Sequence, residues 1–341
     1  MSVIKTVLLN AFPAGGKSEI RKLLRVESDL STKFHLGEEV QLDDYPYVKF
    51  MKDIDEALVN LGERRMFFEL PDRGFVSNYE WGSLMVLINE DYHDLVIHAK
   101  KPEVRSATRW LFERIDRARE QVGIHRRLCD LPACVFWGLE ERLEHSAREF
   151  MDRKFAEIPD TLEGKTVFIE FSRGGPDHSS FPLPAPHGYQ YSYQMLSDEI
   201  LEGASVLYVW VTAEMSRAKN IARGQEEIHS VPGGVTAEAQ KFVLSLNHTV
   251  PQWVMYNAYG CDDFEYLLSV SDRPNTVKVT KGDKVYYLPV ARFDNRQDYT
   301  SFCRGNPENW AQKDRDAIRA ELGKAFTELV EQYQLLHPAA H

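Results

Sequence analysis

The chain has 341 residues, 43% of them hydrophobic and 27% charged, with a formal net charge of −11. That length buries a substantial core and predicts about two domains, or one domain with a large insertion. The acidic balance argues against a broad nucleic-acid or anionic-membrane footprint, which selects clustered Lys and Arg. With no apolar run of membrane-spanning length and no signal-peptide pattern at the N-terminus, a cytoplasmic protein is expected.

The chain opens with an apolar run from Val3 to Asn10, which breaks into Ala11-Phe12-Pro13-Ala14-Gly15-Gly16-Lys17-Ser18 and then a helical stretch from Glu19 to Val26. Lys33 to Gly37 predicts a short strand, leading through Glu38 to Leu42 into Asp43-Asp44-Tyr45-Pro46. Phe50, Ile54, Leu58 and Leu61 recur at helical spacing between Val48 and Leu61. Arg65 to Leu70 is a short apolar run, read as a strand and closed by the turn Pro71 to Gly74. Helix is expected again from about Asn78 to His98. From Pro102 to Phe155, Trp110, Leu111, Ile115, Phe136, Leu139 and Leu143 mark a helical insertion.

Two buried-strand signals follow, Thr166 to Phe171 and Ser205 to Val211, separated by a Pro/Gly-rich loop (174–188) and a helix from Ser192 to Glu202. Strand also is expected at Thr276 to Thr280 and Lys284 to Val290, and a terminal helix from about Pro307 to Gln334. Apolar β-rich runs alternating with helices predict an α/β fold whose mostly parallel sheet is covered on both faces. The expected division is a nucleotide-binding core of residues 1–100, 160–223 and 273–341, a helical insertion at 101–159, and a lid-like or accessory helical segment at 224–272.

The loop before the first helix matches the phosphate-binding pattern G-x-x-x-x-G-K-[ST], with Ala11 in place of the first Gly. In such a loop Gly15 and Gly16 let the backbone curl so that N–H groups point at phosphate oxygens. Pro13, Ala14, Gly15, Gly16, Lys17, Ser18 and Glu19 are then the nucleotide-binding residues. Lys17 reaches the β/γ-phosphates, and Ser18 ligates Mg²⁺. The positive end of the following helix favours the same anion.

On this loop, and on Leu42-Asp43-Asp44-Tyr45 after the first helix, the chain resembles the P-loop NTPase superfamily in its kinase-like branch, that of uridine kinase and phosphoribulokinase. The resemblance implies a three-layer P-loop fold and a carboxylate at Asp44 or Asp43 that takes the proton from an attacking hydroxyl. Helix capping by Asp43-Asp44 is the alternative. Glu170, at the end of the strongest strand, stands where a Walker-B-like acid bonds a Mg²⁺-bound water, and Ser172 and Arg173 follow it into the crevice beyond the strand ends, where Arg173 is a candidate for contacting the acceptor. Arg217, Lys219 and Arg223 resemble the arginines that lead into a kinase lid and are candidates for neutralising transition-state charge, although they do not share one helical face.

Asp72 and Arg73 are candidates for recognising an acceptor, or a turn salt bridge. Trp81, Tyr189, Tyr191 and Tyr193 are candidates for base stacking or for core. Cys129, Cys134, Cys261 and Cys303 lack metal-ligand spacing, His187, His229 and His248 lack partners that mark a catalytic site, and no G-x-S-x-G elbow occurs. Asp262-Asp263 is expected at the surface. The reading that follows is an ATP-dependent, Mg²⁺-using kinase of a small-molecule hydroxyl acceptor. The alternative is a nucleotide-binding regulatory protein or slow NTPase acting through a protein partner.

Overall fold

Among the described residues six strands are present: β1 (Thr6–Asn10), β2 (Glu38–Asp43), β3 (Lys165–Phe171), β4 (Ala204–Trp210), β5 (Thr276–Lys281) and β6 (Lys284–Asp294). The structure, a computed structural model, describes residues 3–229 and 249–337. The strands form one sheet in the order β2-β3-β1-β4-β6-β5. β3 and β4 flank β1 in parallel, β2 and β6 extend the sheet in parallel outside them, and β5 pairs antiparallel with the first half of β6. Every residue of β1 is buried, which explains why this strand reads as an uninterrupted apolar run.

Side chains alternate between two cores, as the two-residue period of a strand requires. Val7, Leu9, Phe168, Leu207 and Val209 face one layer, while Leu8, Val167, Ile169, Val206 and Tyr208 face the other. The first layer contains α1 (Lys17–Val26) and α2 (Ser28–Lys33). The second contains α3 (Tyr45–Asn60), α4 (Glu80–Val96), α5 (Ala107–Gln121), α6 (Ala133–Ala156), α7 (Gly188–Met195) and α8 (Asp198–Leu201). Past β4 come α9 (Ala213–His229), α10 (Gln252–Asn257) and α11 (Phe264–Ser269), and the long α12 (Gln312–Leu336) completes the first layer through Ile318, Leu322, Phe326 and Leu329. The chain is thus an α/β protein with a mostly parallel sheet between two helical layers. No helix among the described residues is long and apolar enough to cross a membrane.

Residues 101–159, expected as an insertion, supply α5 and α6, whose Leu111, Phe112, Ile115, Phe136 and Leu139 join the same core as Phe50 and Ile54 of α3 and Leu84 and Ile88 of α4. At its start Ser106 caps α5 by accepting from the Arg109 N–H, and the Glu144 carboxylate accepts from the N–H groups of Ala107 and Thr108, both at 3.0 Å. Of the lid-like segment, residues 230–248, including His248, lie outside the described residues. Its later part forms α10 and α11, with Val254 and Met255 packed on Phe12 and Val211.

Several sequence expectations are corrected. Lys33–Gly37 is no strand: Lys33 ends α2, His35 turns at φ 55, and Phe34 stacks on Phe326 of α12 at 4.2 Å. Its apolar residues plug the first core, and the strand starts at Glu38, where a mixed polar sequence suits the sheet edge. Arg65–Leu70 is likewise outside the sheet. The buried Asp55 carboxylate accepts from the N–H groups of Met66, Phe67 and Phe68 at 2.6–3.2 Å, replacing the bonds a ladder would supply. The expected helix over Ser192–Glu202 is divided at Leu196-Ser197, where the Ser197 hydroxyl caps α8. Asp262-Asp263 is not a surface pair: Asp263 accepts from the Tyr189 and Gln190 N–H groups at the start of α7, and Asp262 accepts from the Tyr208 hydroxyl at 2.8 Å. Burial pushes the Asp262 carboxyl up to about 7.

Candidate functional site

The loop between β1 and α1 is shaped by positive φ angles at Ala14 (55°) and Gly16 (110°). Gly15 is required for a different reason than the expected curl: a Cβ there would sit 2.9 Å from both Ala11 Cβ and the Phe12 carbonyl oxygen. A Cβ on Gly16 would meet Thr300 Oγ1 at 2.6 Å. The loop carbonyls are held by neighbouring elements. The Ser216 hydroxyl donates to the Pro13 oxygen at 2.6 Å, Asn295 Nδ2 to the Gly15 oxygen at 2.9 Å, and the Tyr189 hydroxyl to the Ala11 oxygen at 3.1 Å. The first N–H groups of α1 have no intrahelical acceptor, and the helix dipole adds partial positive charge at this end of the loop.

Pro13, Ala14, Lys17, Ser18 and Glu19 line a cleft of about 610 Å³ at the carboxyl edge of β1, β2 and β3. Lys17 is buried, and its ammonium donates to Ser172 Oγ at 2.7 Å and lies 4.0 Å from Glu170 Oε1. Burial lowers the Lys17 pKa, against the opposing pull of Glu170, Asp43 and Asp44. Arg21, one turn further along α1, holds the other Glu170 oxygen at 3.0 Å and donates to Glu39 and Gln41 of β2. Both Glu170 oxygens therefore face a cation, Lys17 at 4.0 Å and Arg21 at 3.0 Å.

Parallel register places Asp43 beside Glu170 across β2 and β3. Burial and the charges of Glu170 and Asp44 push the Asp43 carboxyl up to about 7, although Lys17 and the Tyr45 N–H oppose the rise. The Tyr45 N–H donates to Asp43 Oδ1 at 2.8 Å, so the capping contact at this turn belongs to Asp43, while Asp44 makes no side-chain cap. Asp44 instead accepts from Arg173 Nη1 at 2.7 Å.

Arg173 is only 2% exposed and cannot reach out to a substrate. It donates to the Ser192 hydroxyl, the Ser172 carbonyl and the Trp81 carbonyl, with its guanidinium 4.9 Å from the Trp81 ring. This corrects its expected contact with an acceptor: it is the internal counter-ion that positions Asp44. Asp72 is exposed and does not line the cleft, whereas Arg73 does. The two form the turn salt bridge at 3.1 Å.

Arg223 lines the cleft and lies 4.0 Å from Glu19, to which Arg304 also donates at 2.9 Å. Arg217, about 120° away from Arg223 around the helix, lies over the Tyr256 ring at 4.4 Å and pairs with Asp177 and Glu214. It does not line the cleft, and Lys219 is bound to Asp298 at 2.7 Å. Of the aromatic candidates, Tyr189 and Tyr193 are core, and Trp81 alone faces the cleft.

Arg21, Arg304 and Lys52 also line the cleft but are absent from the sequence reading. Arg21 carries a usable signal, four residues after Lys17 on one helix face. Arg304, 285 residues from Glu19, is brought there only by the fold. All four cysteines are free, and no group of three or more His, Cys, Asp or Glu able to hold a metal occurs among the described residues. Comparison with protein-family models, with curated proteins and with solved structures finds no match.

Proposed function

We propose that this protein transfers the γ-phosphoryl group of ATP to a hydroxyl of a small molecule, with residues 11–18 acting as a P-loop of the kinase-like kind. The observation that carries the reading is the meeting of Lys17 and Asp43 in one cleft, at the end of a helix with free N–H groups. One is a cation for the phosphates; the other is a carboxyl poised near neutral pH to take a proton.

The acceptor oxygen forms a bond to the γ-phosphorus as the bond to the bridging oxygen breaks, ADP leaves, and the hydroxyl proton passes to Asp43. Asp44, fixed by Arg173, orients the hydroxyl. Arg223 and Arg304 line the same cleft and would offset the charge that accumulates on the transferring group. Ser18, exposed to the cleft, and Glu170, which also lines it, would hold Mg²⁺, an ion that keeps several waters and uses one or two carboxylates. When bound, that ion neutralises phosphate charge.

Release of ADP from MgATP, measured against a panel of hydroxyl compounds, tests the proposal. It requires acceptor-dependent turnover that Asp43→Asn reduces by about 10²–10⁴-fold. Slow hydrolysis indifferent to every acceptor would favour the regulatory NTPase instead.

A further inference from the structure

Beyond the phosphate end, the cleft continues along α3 with a different character. Asp44, Val48 and Lys52 line it on successive turns, so it extends about 12 Å along the helix from the carboxylates. An aromatic wall also lines it: Phe68 stacks on Phe75 at 4.7 Å, Phe75 and Trp81 meet edge to face at 4.9 Å, and Trp81 meets Tyr259 at 5.8 Å. All four rings line the cleft.

The far end is cationic. The Lys52 ammonium is half-buried, 5.8 Å from the Phe68 ring. Its nearest acids are Asp53, engaged by Lys49 at 2.7 Å, and the exposed Glu56. Arg73 joins Lys52 in the cleft lining, its guanidinium 5.5 Å from the Trp253 ring.

We infer that the acceptor is an anionic, ring-bearing alcohol about 12 Å long: its hydroxyl lies at Asp43 and Asp44, its ring against Phe68, Phe75 and Trp81, and its anionic group at Lys52. This rests on the phosphotransferase reading above. A polyol would leave the aromatic wall facing polar groups without partners, and a neutral ring compound would leave the part-desolvated Lys52 charge with only the exposed Glu56 and the Lys49-engaged Asp53 to offset it. Burial already lowers the Lys52 pKa, a cost that an anionic ligand reverses.

The test uses a matched pair, 3-[4-(hydroxymethyl)phenyl]propanoate and its methyl ester, titrated calorimetrically into the full chain, with MgATP titrated separately. The wild type should bind the carboxylate at least about tenfold more tightly than the ester. Lys52→Met, which keeps the packing of the side-chain stem, should bring that ratio towards one and leave MgATP affinity unchanged. Equal binding of the two compounds by the wild type, a ratio unaltered in Lys52→Met, or binding of neither while MgATP binds would overturn the inference and leave the phosphate site standing. Failure of MgATP to bind the wild type would overturn the functional reading on which it rests.

Discussion

Replacing Asp43 by Asn should make the protein more stable at alkaline pH while reducing acceptor turnover by about 10²–10⁴-fold. The Asp43 carboxyl is raised from its ordinary 3.8 to about 7. A folded-state pKa above the unfolded value means that the folded protein binds the proton more tightly. Wild-type stability is therefore highest in this respect below about pH 4, and is lost as pH rises through 7. The full displacement corresponds to about 4 kcal/mol, but the side chain is part-exposed to the cleft, and screening reduces the expected effect to about 1–2 kcal/mol. An Asn side-chain oxygen still accepts from the Tyr45 N–H, so the turn into α3 survives. Urea denaturation of both proteins at pH 8.5 and pH 4 measures the difference. The variant should be the more stable at pH 8.5, with the two curves converging towards pH 4. A variant less stable at pH 8.5, or an offset independent of pH, would refute the electrostatic account of this position.

Arg173→Met leaves Asp44 buried without its counter-ion and three further acceptors, the Ser192 hydroxyl and the Ser172 and Trp81 carbonyls, without their donor; it should cost about 3–5 kcal/mol in chemical denaturation, with Asp44→Asn in the same chain recovering a large part of the loss. Additive losses would mean that the ion pair is not coupled. Gly16→Ala forces a Cβ against Thr300 and Asn295 at φ 110 and should destabilise by roughly 1–3 kcal/mol while weakening MgATP binding; unchanged melting and affinity would contradict the loop geometry. Asp55→Ala strands three buried N–H groups and should cost about 3 kcal/mol or more, read from the urea midpoint. Arg217→Gln should leave MgATP affinity within about twofold, since its guanidinium is turned to Tyr256 and Asp177; a tenfold loss would place it in the phosphate site after all.

What could be read from the sequence was the part governed by local rules. β1, β3 and β4 are buried on both faces, so their apolar runs were unambiguous, and loop, Lys17 and α1 follow β1 directly. β2 was missed because an edge strand carries Glu39 and Gln41 for Arg21, leaving little apolar pattern, while the apolar Phe34 and Leu36 belong to a turn. Arg173 shows the limit for site residues. Its place after β3 put it near the crevice, but only the packing of Trp81, Ser192 and Asp44 around it turns a surface cation into a buried counter-ion. The aromatic wall joins Phe68, Phe75, Trp81 and Tyr259 from separate parts of the chain, and no local period links them.

The most direct test of the central claim is calorimetric titration of ATP and GTP, with and without Mg²⁺, into the wild type and Lys17→Ala. The account predicts Mg²⁺-dependent nucleotide binding by the wild type that is lost in the variant. No binding of either nucleotide by the wild type, or equal binding by both proteins, would contradict it and remove the basis for the phosphate site.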